Sequence, residues 1–244
     1  MPTAYRQRLL VFFAFVSCAI LLSLRADAAS LRSPGDLLPG DKYRLAFVTD
    51  GRLQQWGKSN EDYNEFVTRE AHRAGSLVAD LTVEWKAIAS TKLVDARDNT
   101  GTNPTLSEPN EVPVYLVDGT TRIADNYADL WDGSLDAPLN IDQFGRRADT
   151  KVATGTREDG TAWPIFYLGR FYYGGWVEGV SAWTSGWWVS SNTVLTWGPE
   201  HFYAMSDLLT VVPEPTSATL VGLAIAAGLW PRRVQVRRNH RYLL

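Results

Sequence analysis

Apolar and polar residues alternate along several short stretches in the middle of the chain. Residues 43–49 alternate in this way and are rich in strand-forming side chains, which predicts a β-strand. Further strands are predicted over residues 83–89, 112–117, 152–156, 202–205 and 209–212. Because strands are predicted at both ends of this region, we expect the first strand to pair with the last.

The clearest helical pattern begins at Ser59. Ser59 and Asp62 have the spacing of a capping box, and Gly75 provides a stop signal. Between these signals a mostly apolar helical face is formed by Tyr63, Phe66, Val67, Glu70, Ala71 and Ala74. A second, short helix is predicted over residues 127–131. The elements together predict an α+β domain with one well-defined amphipathic helix.

The N-terminal end has the layout of a secretory signal. Arg6 and Arg8 precede an apolar run over residues 9–24, and Ala26-Asp27-Ala28 places small residues where signal peptidase cleaves. The run is about 16 residues long, shorter than the ~20 of a membrane span. We therefore expect residues 1–28 to be removed as a signal peptide, together with the single cysteine, Cys18. The alternative is a retained membrane anchor.

The C-terminal end combines a short motif, an apolar span and a basic tail. Pro213-Glu214-Pro215 precedes an apolar span over residues 216–230, and residues 232–241 are rich in arginine, beginning with Arg232 and Arg233. At ~1.5 Å per residue a helix over the span reaches ~22 Å, less than the ~30 Å of a hydrocarbon core. A transmembrane helix here requires local thinning or snorkelling arginines, with the tail in the cytoplasm. The alternative is a helix packed on the domain.

This tripartite end resembles the PEP-CTERM sorting signal of Gram-negative-type bacteria, over residues 213–241. The resemblance implies recognition by a membrane protease called an exosortase while the chain is anchored in the inner membrane. It further implies removal of the tail and delivery to the cell surface or extracellular matrix of a cell that makes exopolysaccharide. It implies nothing about the activity of the exported part.

Residues 31–212 contain no internal repeat and are expected to form a single domain. The order of its elements and several stretches resemble the C-type-lectin-like fold, nearest to its endostatin-like branch. The matching stretches are Asp62-Tyr63-Asn64-Glu65-Phe66, Trp85-Lys86-Ala87-Ile88-Ala89-Ser90, Val112-Pro113-Val114-Tyr115-Leu116-Val117-Asp118-Gly119, Leu130-Trp131-Asp132-Gly133-Ser134-Leu135, Thr154-Gly155-Thr156 and Phe202-Tyr203-Ala204-Met205-Ser206. The resemblance implies a mixed or antiparallel sheet and a long irregular loop that binds ligands. The disulfides usual in that fold are absent, so a packed core has to replace them.

Aromatic residues are concentrated in residues 163–197, among glycines and serines. Flat aromatic faces stack on sugar rings, and tryptophan and tyrosine add a polar atom to a large apolar surface. The candidate ligand-binding residues are Tyr172, Trp176, Trp183, Trp187 and Trp188. The alternative is that these rings fill the core beneath an irregular loop.

Aspartates are concentrated just before this segment. Asp125, Asp129, Asp132 and Asp136 offer the carboxylate oxygens that Ca²⁺ prefers, although their spacing is not that of an EF-hand. They are candidate metal ligands, and the alternative is that they only form turns.

Catalytic motifs are absent from the sequence. It contains no Gly-x-Ser-x-Gly elbow, no His-Glu-x-x-His pair and no phosphate loop. The histidines of the expected domain are His72, predicted to face solvent because it lies opposite the apolar helical face, and His201. We expect a protein that is not an enzyme; the enzyme alternative is a glycan-active one with two carboxylates.

The charged residues behind the net charge of −3 are distributed unevenly along the chain. Residues 29–230 carry 16 basic and 26 acidic side chains, a net charge of −10, while both ends are basic. An acidic domain repels nucleic acid and other polyanions, so neutral sugars or ligands bridged by Ca²⁺ fit it better. We expect an exported, non-catalytic binding module for extracellular polysaccharide or a matrix protein. The alternative is a purely structural matrix or cell-envelope protein.

Overall fold

The computed structural model describes residues 34–107, 109–170, 175–195 and 198–212. The described residues up to Val211 belong to one compact unit. The expected signal peptide, residues 1–28, and the expected sorting signal, residues 213–241, lie outside the described residues.

None of the helices within these described ranges combines the length and the apolar character that a membrane span requires.

The domain is a mixture of short strands and a few helices, as the sequence predicts. Its elements are β1 Lys42–Val48, β2 Leu53–Gln54, α1 Asn60–Ala71, β3 Trp85–Ala87, α2 Ala96–Asn99, β4 Val114–Leu116, β5 Arg122–Ala124, α3 Tyr127–Leu130, β6 Lys151–Ala153, β7 Trp176–Val180, a 3-10 helix Gly186–Trp188, β8 Asn192–Val194, β9 Pro199–Glu200, β10 Tyr203–Ser206 and β11 Leu209–Thr210. Each predicted strand overlaps an observed one, and the predicted short helix is α3. The α+β class is therefore confirmed.

The central sheet is mixed and has the strand order β3-β10-β1-β4-β5, with β11 also paired to β1. β1 runs antiparallel to β10 and β11 and parallel to β4. The expected pairing of the first strand with the last ones is thus confirmed. β1 is buried along nearly its whole length because apolar clusters cover both faces of the sheet.

Helix α1 covers one face of this sheet, and the predicted capping box starts it. The Ser59 backbone N–H donates to Asp62 Oδ2 at 2.8 Å, and the Ser59 side chain accepts the Asp62 N–H. Tyr63, on the buried face, stacks on Phe202 with ring centroids 5.0 Å apart. The helix ends at Ala71, before the predicted glycine stop.

Side chains form hydrogen bonds with the backbone of β3, at one edge of the central sheet. The Ala87 N–H of β3 donates to Asn64 Oδ1 at 2.8 Å, and the Ala87 carbonyl accepts from Asn99 Nδ2 at 2.7 Å. The Thr68 hydroxyl donates to the Trp85 carbonyl at 3.2 Å. These contacts occupy backbone groups that would otherwise be open to pairing with another chain.

The aromatic segment is more regular than the sequence predicts. The antiparallel pairs β6–β7 and β7–β8 form a second, three-stranded sheet where a long irregular loop was expected. The prediction was wrong for β7 because most of this strand is buried on both faces, so its apolar and polar residues do not alternate. The remaining loop runs from Ser181 to Ser191 and contains the 3-10 helix.

Candidate functional site

The structure separates the four described candidate tryptophans into two environments. Trp183 and Trp187 are 49% and 52% exposed, whereas Trp176 and Trp188 are 4% and 0% exposed. Tyr172 lies outside the described residues. Trp176 and Trp188 are core residues with no ring face open to a ligand, so only Trp183 and Trp187 remain as candidates among the described four.

Trp183 and Trp187 form a pair on the surface. Their ring centroids are 5.3 Å apart and their planes are inclined at 66°, an edge-to-face arrangement that aromatic rings favour. Each ring supports the other while about half of its surface stays in water. We call these two residues the tryptophan pair.

The loop under the tryptophan pair is held by backbone hydrogen bonds. The Trp183 N–H donates to the Val180 carbonyl at 3.1 Å, and the Leu135 N–H donates to the Thr184 carbonyl at 2.7 Å. The second bond joins this loop to the loop that follows α3. The tryptophan pair is therefore presented by two loops that brace each other.

Trp188 belongs to the same loop and packs into the core beneath it. Its ring lies 5.7 Å from the rings of both Trp131 and Tyr203, measured between centroids, and the Tyr203 hydroxyl donates to its carbonyl at 2.8 Å. Gly179 of β7 makes the close approach possible, since a Cβ there would collide with the Trp188 carbonyl. Burial of Trp188 thus fixes the backbone that displays Trp187.

Three of the four candidate aspartates converge beside this loop. Single carboxylate oxygens of Asp125, Asp129 and Asp136 lie within 4.8 Å of one another. Asp132 is not part of this cluster, because its Oδ1 accepts the N–H and hydroxyl of Ser134 at 2.9 and 3.0 Å and shapes the turn. The turn-forming alternative therefore holds for Asp132.

The electrostatics of this cluster are dominated by negative charge. Asp125 forms an ion pair with Arg122 at 2.9 Å. Partial loss of solvent, together with the neighbouring charges of Asp129 and Asp125, raises the pKa of Asp136 above its usual value. The three carboxylates provide hard oxygen ligands of the kind Ca²⁺ takes, but fewer than the six to eight it needs, so water would have to complete the coordination.

Asp136 of the aspartate cluster lies on a loop that adjoins the loop of the tryptophan pair. Leu135, whose N–H bonds to Thr184, directly precedes Asp136. Ser134 and Ser185 form an isolated antiparallel bridge between the same two loops. The two candidate features thus belong to adjoining parts of the molecular surface.

Glu158 also reaches this surface, although no motif in the sequence marks it. A Cβ on Gly186 would lie 2.6 Å from Glu158 Cγ, so the exposed Glu158 side chain packs against the backbone just before Trp187. No local pattern could reveal this contact, because it joins residues far apart in the chain. Only the glycine at position 186 leaves room for it.

The two histidines have different environments. His72 is exposed, as predicted. His201 places Nδ1 2.6 Å from the Thr49 carbonyl, while Nε2 accepts from Arg52 Nε at 2.9 Å. These partners fix the neutral ring with its proton on Nδ1. Burial lowers the pKa of His201 below its usual value, and the charge of Arg52 adds to this effect.

The lowered pKa of His201 predicts a loss of stability in mild acid. Between the lowered pKa and the usual value of about 6.5, the unfolded chain binds more protons than the folded one, so the free energy of unfolding decreases as the pH falls through this interval. His201→Gln should flatten the change in Tm between neutral and mildly acidic buffer. His72→Gln, at an exposed position, is the control and should leave the profile as in the wild type. Equal profiles for all three proteins would refute the assignment.

A cavity of about 400 Å³ beside His201 is lined by two carboxylates, the number expected for a glycan-active enzyme. Asp142 and Asp50 line it, and both form ion pairs with Arg146, at 2.6 and 2.8 Å. Asp50 also pairs with Arg73 at 3.0 Å. These contacts pair both carboxylates with arginines, so an ion-pair network forms part of the cavity wall.

No protein-family model matches the chain, and no curated protein is significantly similar to it in sequence.

Proposed function

We propose that this chain is an exported, non-catalytic binding protein whose ligand is a carbohydrate held by the tryptophan pair. The observation that carries the proposal is the exposure of two adjacent indole rings on a braced loop, at 49% and 52%. Large aromatic side chains are normally buried, and an exposed pair supported by hydrogen bonds and a buried anchor favours a binding role.

The geometry of the pair suits a sugar ligand. The ring planes are inclined at 66°, so the pair offers two differently oriented apolar faces for the C–H face of a pyranose. The nearby aspartates supply acceptors for sugar hydroxyl groups. The backbone hydrogen bonds beneath the rings reduce the entropy lost when a ligand binds.

The proposed location follows from the two ends of the sequence. The features of residues 1–28 and 213–241 favour export through signal peptidase, transient anchoring in the inner membrane, and sorting by an exosortase. A polysaccharide of the cell surface or extracellular matrix is then accessible to the protein as a ligand. The observed mixed sheet and single long helix are compatible with the C-type-lectin-like fold that the sequence resembles.

Ca²⁺ belongs to the proposal as a ligand of Asp125, Asp129 and Asp136. Their oxygens lie within 4.8 Å of one another, and a divalent cation would relieve their mutual repulsion. A cation there would act on the loop that braces the tryptophan pair.

The test is a glycan array probed with the full chain, with and without Ca²⁺, in a detergent without a sugar headgroup. The proposal predicts binding to a defined set of glycans. If Ca²⁺ strengthens that binding, Asp136→Asn should abolish the enhancement. Absence of binding under both conditions would refute carbohydrate recognition and favour a purely structural matrix role.

A further inference from the structure

Acidic residues predominate in two segments next to the loop of the tryptophan pair. Residues 123–138 contain four aspartates and no lysine or arginine. Glu158 adds a further carboxylate, since it packs against Gly186, the residue before Trp187. The loop that carries the rings is thus bordered by carboxylates from these two segments.

Few of these carboxylates are neutralised by basic side chains. Within the described ranges, Arg122 pairs with Asp125, but Asp129, Asp136 and Glu158 form no ion pair. Arg157, the nearest basic residue to Glu158 along the chain, stacks on Trp163, with its guanidinium carbon 5.1 Å from the ring centroid. Net negative charge therefore remains beside the tryptophan pair.

We propose, on the basis of the carbohydrate-binding function above, that the tryptophan pair selects sugar polymers that carry free, protonated amines. Tryptophan faces attract an ammonium group through the ring quadrupole, and nearby carboxylates add a Coulomb attraction. The net charge of −10 over residues 29–230 acts in the same direction at longer range. Neutral sugars gain only the stacking contribution, and acidic polysaccharides are repelled.

This selectivity depends on charge, which ring stacking alone does not distinguish. An N-acetylated sugar and its free amine present nearly the same ring face to an indole, so they differ mainly in charge. The exposed Glu158 carboxylate beside Trp187 then distinguishes the two, and salt should weaken the distinction by screening.

The test compares oligomers of β-1,4-linked glucosamine with N-acetylated oligomers of the same length, by calorimetry on the full chain. Mildly acidic buffer keeps the amines protonated, and a chelator removes Ca²⁺. We expect the amine form to bind about five- to tenfold more tightly, as a cation–π contact with added charge attraction implies. Raising the salt concentration should reduce the ratio.

Glu158→Gln supplies the variant test. It keeps the shape of an exposed side chain while removing its charge, so it should lower the ratio of the affinity for the amine form to the affinity for the N-acetylated form. Asp80→Asn, at an exposed aspartate on the loop after α1, is the matched control and should change neither affinity.

The outcomes separate this inference from the function on which it rests. Equal binding of the two forms, or tighter binding of the N-acetylated form, overturns amine selection but leaves carbohydrate binding intact. Binding of neither form, together with an empty glycan array, overturns both. An oligolysine that binds as tightly as the glucosamine oligomer would assign the surface to cationic peptides and overturn the sugar class.

Discussion

Replacing Trp183 and Trp187 together with alanine is expected to abolish measurable glycan binding while the domain stays folded. Tryptophans at the centre of a binding surface commonly contribute at least about 2 kcal/mol each, a loss of roughly 30-fold in Kd per ring. Both rings are half exposed, so their removal should change the free energy of unfolding by less than about 1 kcal/mol. Calorimetric titration and a thermal melt of the double variant measure the two quantities.

Trp56 offers a matched control for this experiment. It is another exposed tryptophan, at 40%, and it lies between β2 and α1, away from the tryptophan pair in the chain. Trp56→Ala should retain the wild-type affinity. If Trp56→Ala weakened binding as much as the double variant, the ligand would not be held specifically by the tryptophan pair.

Trp188→Ala, unlike replacement of its exposed neighbour Trp187, should strongly destabilise the domain. Trp188 is 0% exposed and packs between Trp131 and Tyr203. Truncating a buried tryptophan leaves a cavity and costs about 3–5 kcal/mol, which is a large part of the stability of an ordinary domain. Chemical denaturation monitored by circular dichroism should show a clearly lower midpoint.

Trp188→Phe distinguishes the loss of packing from the loss of a hydrogen bond. In the described part of the chain, Trp188 Nε1 has no hydrogen-bond partner, so phenylalanine removes volume but no hydrogen bond. It should therefore cost much less than alanine. A midpoint for Trp188→Ala equal to the wild type would show that the ring is not part of the core.

The sequence predicts an element most accurately where its residue pattern reflects contacts made within that element. α1 begins at the capping box of Ser59 and Asp62, because that pattern corresponds to contacts within the helix, and β1 was predicted from its strand-forming side chains although it is buried on both faces. β7 was missed because most of it is buried on both faces and shows no alternation. β7 also carries a glutamate and a glycine among its apolar residues, so its sequence did not indicate a strand.

The candidate site was predictable by residue type and not by position. The sequence identified a tryptophan-rich segment, but adjacent Trp187 and Trp188 differ only because the 3-10 helix turns one ring outward and the other into the core. The aspartate cluster shows the same limit, since Asp132 forms a turn while Asp136 joins the convergent group. Glu158 joins the surface through tertiary packing alone.

The ligand is expected to contact Trp183 and Trp187 and no buried tryptophan. Fluorine NMR of the full chain labelled with fluorotryptophan tests this directly. Single Trp→Phe variants assign the resonances. Addition of a glycan bound on the array should shift the resonances of Trp183 and Trp187 and leave that of Trp176 in place. Shifts confined to other tryptophans, with those of Trp183 and Trp187 unchanged, would contradict the account.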